Sequence, residues 1–129
     1  MTRQKLPTRR EGETFLLDHR HSPGTAAEQI ETMIVSYSRY PDGRIGEVFV
    51  NCENRRSERS IGLWADLGII VSIALQRGAT LTELSSAMSR GEINHLGKIV
   101  EVAQSPAGTL LDALLDIEVQ DMVEGRANG

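Results

Sequence analysis

Over residues 32–51 apolar and polar side chains alternate, whereas from residue 61 onward apolar side chains recur at helical spacing. Two runs, Thr32–Tyr40 (TMIVSYSRY) and Arg44–Asn51 (RIGEVFVN), are rich in Val, Ile, Tyr and Phe and flank Pro41-Asp42-Gly43. Proline presets φ for a turn and glycine accepts positive φ, so this segment predicts a β-hairpin. Alternation puts Met33, Val35 and Tyr37 on one face of the first strand. Val48 and Val50 share a face of the second, opposite Glu47 and Phe49. Upstream, Glu13–Asp18 (ETFLLD) is short and apolar in its middle, which predicts another strand. His19–Thr25 follows, with Ser22-Pro23-Gly24 as a loop signal.

After Cys52 the pattern changes. Glu53–Ser60 (ENRRSERS) is polar and charged, a strand-to-helix loop. In Ile61–Gln76 one helical stripe holds Ile61, Trp64, Ala65, Gly68, Val71 and Leu75, and Leu63, Leu67, Ile70 and Ala74 fall beside it. A helix apolar over most of its circumference is expected to be central and buried. Gly78 stops it. Thr80-Leu81-Thr82-Glu83 fits a capping box, opening a second helix that carries Leu81, Leu84 and Met88 inward and closes at Gly91. Ile93–Val102 fits a loop, a short helix or a short strand. Ser105-Pro106 fits an N-cap followed by proline at N1. Leu110, Leu111, Leu114 and Leu115, with Val119 and Met122, give the last helix its stripe.

Strands come first and helices after. That order predicts an α+β fold: an antiparallel sheet built on a central β-hairpin, with about three helices packed on one face. There is no internal repeat. Residues 1–12, with Pro7 and Gly12, read as a flexible basic arm, residues 13–122 as a single domain, and residues 123–129 as a frayed tail.

Composition narrows the function. A length of 129 residues fits one domain with its own core. A net charge of −4 argues against nucleic acid as partner, and one Trp, two Tyr and two Phe are few for a base-stacking platform. The most apolar stretch, Ile61–Leu75, is too short to span a bilayer and contains Asp66, so no membrane contact is expected. Cys52 is the only cysteine, which rules out an internal disulfide and suits a reducing cytoplasm. The basic N-terminus has no apolar run behind it, unlike a signal peptide, so the expected location is cytoplasmic. Charge is uneven. Residues 1–10 hold Arg3, Lys5, Arg9 and Arg10 and no acid, whereas residues 111–124 hold Asp112, Asp116, Glu118, Asp121 and Glu124 and no base. The plain reading is a mobile arm and a solvated helix face; the alternative is steering of a partner.

Candidate chemistry is sparse. Cys52 precedes Arg55 and Arg56, whose charge would favour a thiolate, but no histidine adjoins it in sequence to act as base. Arg55, Arg56, Ser57, Arg59 and Ser60 stand where a helix should begin. Unsatisfied N–H groups there attract anions and guanidinium groups add bidentate phosphate contacts, so this helix entrance is a candidate phosphate or nucleotide site. It lacks the glycines of a P-loop. His19-x-His21 is the only close pair of metal-capable residues. If the first strand continues through it, both rings face one way, but two imidazoles fall short of a filled zinc site. Asp66 in the apolar helix should be paired or exposed. With no Ser/His/Asp motif, dinucleotide fingerprint or metal quartet, no catalytic residue and no cofactor are expected.

The series as a whole resembles a known family. Arg3-Gln4-Lys5-Leu6-Pro7-Thr8-Arg9-Arg10-Glu11-Gly12-Glu13-Thr14 is similar to the opening of TSCPD domains, the small C-terminal domains of many ribonucleotide reductases. Asp42-Gly43-Arg44 with Gly46-Glu47-Val48-Phe49-Val50 resembles their hairpin, and Ser72–Gly78 and Leu81–Arg90 resemble the helices that follow. Ser105-Pro106-Ala107-Gly108-Thr109-Leu110-Leu111-Asp112 resembles their closing segment. The likeness covers about residues 3–118. It implies an accessory or regulatory module connected with deoxyribonucleotide synthesis, whose partner would be a reductase subunit, a nucleotide or a second copy of itself. Many relatives carry cysteine pairs that suggest metal or dithiol chemistry. This chain lacks the pair and the reductase's catalytic barrel, so neither chemistry carries over.

Overall fold

A computed structural model describes Arg3 and residues 12–52 and 58–128 of the chain. Its elements run β1 (Gly12–His21), β2 (Gln29–Arg39), β3 (Ile45–Cys52), α1 (Glu58–Gln76), α2 (Leu81–Ser86), β4 (Arg90–His95), β5 (Lys98–Ala103) and α3 (Pro106–Asn128). Strands β1-β2-β3 form an antiparallel sheet, and β4-β5 form a separate two-stranded one. The fold is α+β. Among the described residues no helix is long and apolar enough to cross a membrane.

The expected hairpin is β2–β3. Gly43 takes φ 94°, Gly43 N–H donates to the Tyr40 carbonyl at 2.9 Å and Tyr40 N–H to the Arg44 carbonyl at 2.8 Å. Met33, Val35, Tyr37, Val48 and Val50 are all buried, as alternation requires, while Phe49 on the opposite phase is half exposed. β1 is longer than its apolar middle suggests. It pairs with β2 from Gly12↔Ser38 to His21↔Gln29, so cross-strand partners recruit the polar His19-Arg20-His21 into the sheet. The Arg20–Glu28 ion pair and Gly24, at φ 77°, close the loop beyond.

α1 lies along β3. Its Gly68 approaches so closely that a Cβ would sit 3.1 Å from the Val48 carbonyl oxygen. One turn on, the Ser72 hydroxyl accepts from Val48 N–H at 2.8 Å and lies 3.0 Å from the Val48 carbonyl; Gln76 Nε2 donates to the Gly46 carbonyl at 2.8 Å. β3 is an edge strand, and these side chains occupy edge groups that would otherwise lack partners. Trp64, Val71 and Leu75 then join Leu110, Leu111 and Leu114 of α3 over the inward sheet residues in one core.

Several expectations change. α1 is not buried all round: Leu63, Ile69 and Ile70 are 52%, 50% and 63% exposed. A three-stranded sheet flanked by two long helices leaves their outer sides uncovered, whatever their composition. α2 ends at Ser86, and Gly91 lies in β4 rather than closing the helix. The capping box is present, with Thr80 Oγ1 accepting from Glu83 N–H at 3.0 Å and Glu83 Oε1 accepting from Thr80 N–H at 3.2 Å. Arg90 donates to the Ser85 carbonyl at 2.7 Å and pairs with Asp112, which cuts the helix short. The ambiguous Ile93–Val102 segment belongs to the β4–β5 hairpin, whose turn residues Leu96 and Gly97 both have positive φ. The acidic face of α3 is tied into the fold: Asp112 accepts from Arg90 and Ser85, Glu118 accepts from Ile45 N–H at 3.0 Å, and Asp121 pairs with Arg39. Asp66 is exposed.

Candidate functional site

β1 carries Leu17, His19 and His21 on its inward phase, and β2 carries Glu31 in the same phase as Met33. His19 stands directly across from Glu31 in the sheet register. The strand spacing therefore brings both histidines to one face. Their rings meet edge to face with centroids 4.5 Å apart. His19 is only 3% exposed, and its ring also meets the Trp64 ring at 6.0 Å.

Each ring has one anchored nitrogen. His19 Nδ1 is 2.8 Å from Thr109 Oγ1, in the first turn of α3. His21 Nε2–H donates to Glu31 Oε1 at 3.1 Å. The same Glu31 oxygen accepts from Trp64 Nε1–H at 2.9 Å, and the Ser60 side chain also bonds the carboxylate. Glu31 thus joins β2 to the start of α1. Although burial works against its charge, the Trp64, Ser60 and His21 bonds hold its carboxyl below the usual range. Burial, reinforced by the neighbouring His21, pushes His19 below the usual imidazole value; Glu31 opposes the shift.

Beside the histidines, an open cleft of about 470 Å³ separates the end of β1 from the β4–β5 hairpin, with Gly91, Ile93 and Gln104 on its far side. His19 lines this cleft. Among the described residues no buried side-chain nitrogen or oxygen lacks a partner. Among the described residues the second ring nitrogen of His19 makes no hydrogen bond.

The structure brings His19 and His21 together, as continuation of the first strand requires. Among the described residues no three His, Cys, Asp or Glu side chains gather as a metal-binding group. Arg55, Arg56 and Ser57, and the side chains of Arg59 and Cys52, lie outside the described residues, as does most of the basic arm; Arg3 donates to Gln76 Oε1. Of the proposed helix entrance, Ser60 is described, and its side chain is bonded to Glu31. Sequence reasoning missed Glu31 and Thr109. Glu31 did leave a trace, being a carboxylate on the inward phase of an otherwise apolar strand. Thr109 left none, because its meeting with His19 joins residues 90 positions apart.

The second surface is the outer side of α1, where Leu63, Ile69 and Ile70 stand beside Gly62 and Asp66. The fold and these two surfaces define an α+β domain with a paired-histidine cleft and an uncovered apolar helix face. No family model matches the chain, and no curated protein or solved structure matches it.

Proposed function

We propose that this chain is a non-catalytic accessory module that binds a protein partner through the outer face of α1, and that the partner is a ribonucleotide reductase subunit. One observation carries the binding mode. Leu63 and Ile70, one above the other two turns apart, and Ile69 beside them across the exposed Asp66, are uncovered on a helix whose opposite side is already bonded to β3. Clustered exposed aliphatic side chains are costly in water and mark interaction surfaces. The resemblance to TSCPD domains supplies the partner's identity and the link to deoxyribonucleotide synthesis.

Sedimentation velocity of the chain mixed with a purified reductase large subunit tests this. A complex is expected, and Ile70→Glu should abolish it while leaving thermal stability unchanged, since this side chain makes little contact inside the domain. Absence of a complex overturns the reading. So does a self-associating chain that Ile70→Glu disperses, because the occupant of the face is then a second copy.

A further inference from the structure

A strand at the edge of a sheet presents a row of N–H and C=O groups that either stay in water or pair with another strand. The main sheet has two such edges, β1 and β3. The helices close the β3 edge: Ser72 takes both polar groups of Val48, Gln76 the Gly46 carbonyl and Glu118 the Ile45 N–H. Among the described residues the backbone of β1 bonds only to β2. The strand is long, at 10 residues, and its register with β2 runs without a break. It lacks three devices that keep edges apart, having no proline, no lysine and no bulge. Its side chains are uncovered too. Leu16 is 62% exposed, and Phe15, on the core phase, is only half-buried although its cross-strand neighbour Val35 is fully buried.

The side chains of β1 suit a second β1 laid antiparallel beside it. A two-fold axis through Leu16, perpendicular to the sheet, sets Leu16 opposite the partner's Leu16, Phe15 opposite the partner's Leu17, Thr14 opposite the partner's Asp18 and Glu13 opposite the partner's His19. Apolar side chains then meet apolar ones on both faces, and each carboxylate meets a hydroxyl or an imidazole. The pairing of threonine with Asp18 repeats one that the sheet already makes, where Thr32 Oγ1 donates to Asp18 Oδ1 at 2.6 Å. Neighbouring registers fit worse. An axis through Phe15 puts Glu13 opposite a leucine, one through Leu17 puts Leu16 opposite an aspartate, and one through Asp18 puts two aspartates together. Pairing in phase also leaves both cores on one side, so that two three-stranded sheets join into one.

We propose that the chain forms a two-fold homodimer by antiparallel pairing of β1 with β1 of a second copy, centred on Leu16. Backbone bonds along the strands supply the affinity and the side-chain pairs fix the register. This surface is separate from the outer face of α1 and does not depend on the partner proposed for that face.

Sedimentation velocity of the full chain over a concentration series reaching the millimolar range tests the dimer. A reversible monomer–dimer equilibrium is expected. Leu16→Lys sets like charges against each other on the axis and should weaken the dimer at least about tenfold. Residue 16 is exposed, so this variant keeps its fold, which near-UV circular dichroism of Trp64 confirms. Ile70→Glu should leave the dimer intact. Register is read by cross-linking in a Cys52→Ser background, where the introduced thiol is the only one. Leu16→Cys should oxidise to a disulfide-linked dimer, because opposite residues of an antiparallel pair stand about 4.5–5.5 Å apart at Cα, within disulfide reach. Thr14→Cys alone should not, since its counterpart lies four residues further along the partner strand, roughly 14 Å away. Thr14→Cys mixed with Asp18→Cys should cross-link. A chain that stays monomeric throughout the series, a dimer untouched by Leu16→Lys or dispersed by Ile70→Glu, or cross-linking of Thr14→Cys alone as efficient as that of Leu16→Cys overturns the proposal.

Discussion

The Ser72 hydroxyl sits against both backbone polar groups of Val48, 2.8 Å from the amide nitrogen and 3.0 Å from the carbonyl oxygen. It stands in for the strand that β3 lacks on its outer edge. The contact depends on Gly68 one turn earlier, because only there can the α1 backbone come so close to β3. Helix and strand are thus joined by polar bonds as well as by the packing of Trp64 and Val71.

Ser72→Ala should destabilise the domain by about 1–3 kcal/mol, the cost of leaving a buried backbone N–H unpartnered. Gly68→Ala should also destabilise, although alanine favours a helix by about 1 kcal/mol over glycine. The added Cβ meets a strand carbonyl that cannot retreat without disturbing β2. Urea unfolding followed by Trp64 fluorescence measures both. A stabilised Gly68→Ala chain would show that β3 has slack at Val48.

His19 makes stability depend on pH. Its folded pKa lies below the ordinary imidazole value, so as pH falls the unfolded chain takes up this proton first. The His19 contribution is therefore complete above about pH 6.5 and declines as pH drops from there through the folded value. The melting temperature should fall between about pH 7 and pH 5, and His19→Gln should flatten that slope. Glu31, held below the usual carboxyl range, acts in the same direction but only at lower pH. An unchanged slope in His19→Gln would assign the dependence to other groups.

The β4–β5 turn carries a removable strain. Leu96 has φ 52° and is 90% exposed, so its side chain contributes little packing while its backbone adopts a region that leucine disfavours. Leu96→Asn should stabilise the domain by roughly 0.5–1 kcal/mol, and Leu96→Gly should relieve the same strain against a larger entropy cost. Thermal unfolding of the three chains side by side decides it. A destabilised Leu96→Asn would mean that the leucine makes a contact that matters.

The local signals explain which parts were legible beforehand. Pro41-Asp42-Gly43, the Thr80–Glu83 capping box and the Ser105-Pro106 start of α3 each depend on neighbours in the chain, and each stands where expected. The β4–β5 hairpin was ambiguous because leucine occupies a turn position that usually holds asparagine or glycine. The uncovered side of α1 was misread because its composition does not record how much sheet is available to cover it.

Sequence alone determined the α+β class, the inward faces of β2 and β3, and the possibility that His19 and His21 point the same way, because alternation and capping are properties of adjacent residues. Tertiary structure decided the rest: that β1 extends through both histidines, that Thr109 and Glu31 hold their rings, that Ser72 closes the edge of β3, and that Leu63, Ile69 and Ile70 stay outside. Each of these depends on contacts between residues far apart in the chain, and such pairings arise only when sheet and helices bury their apolar faces together.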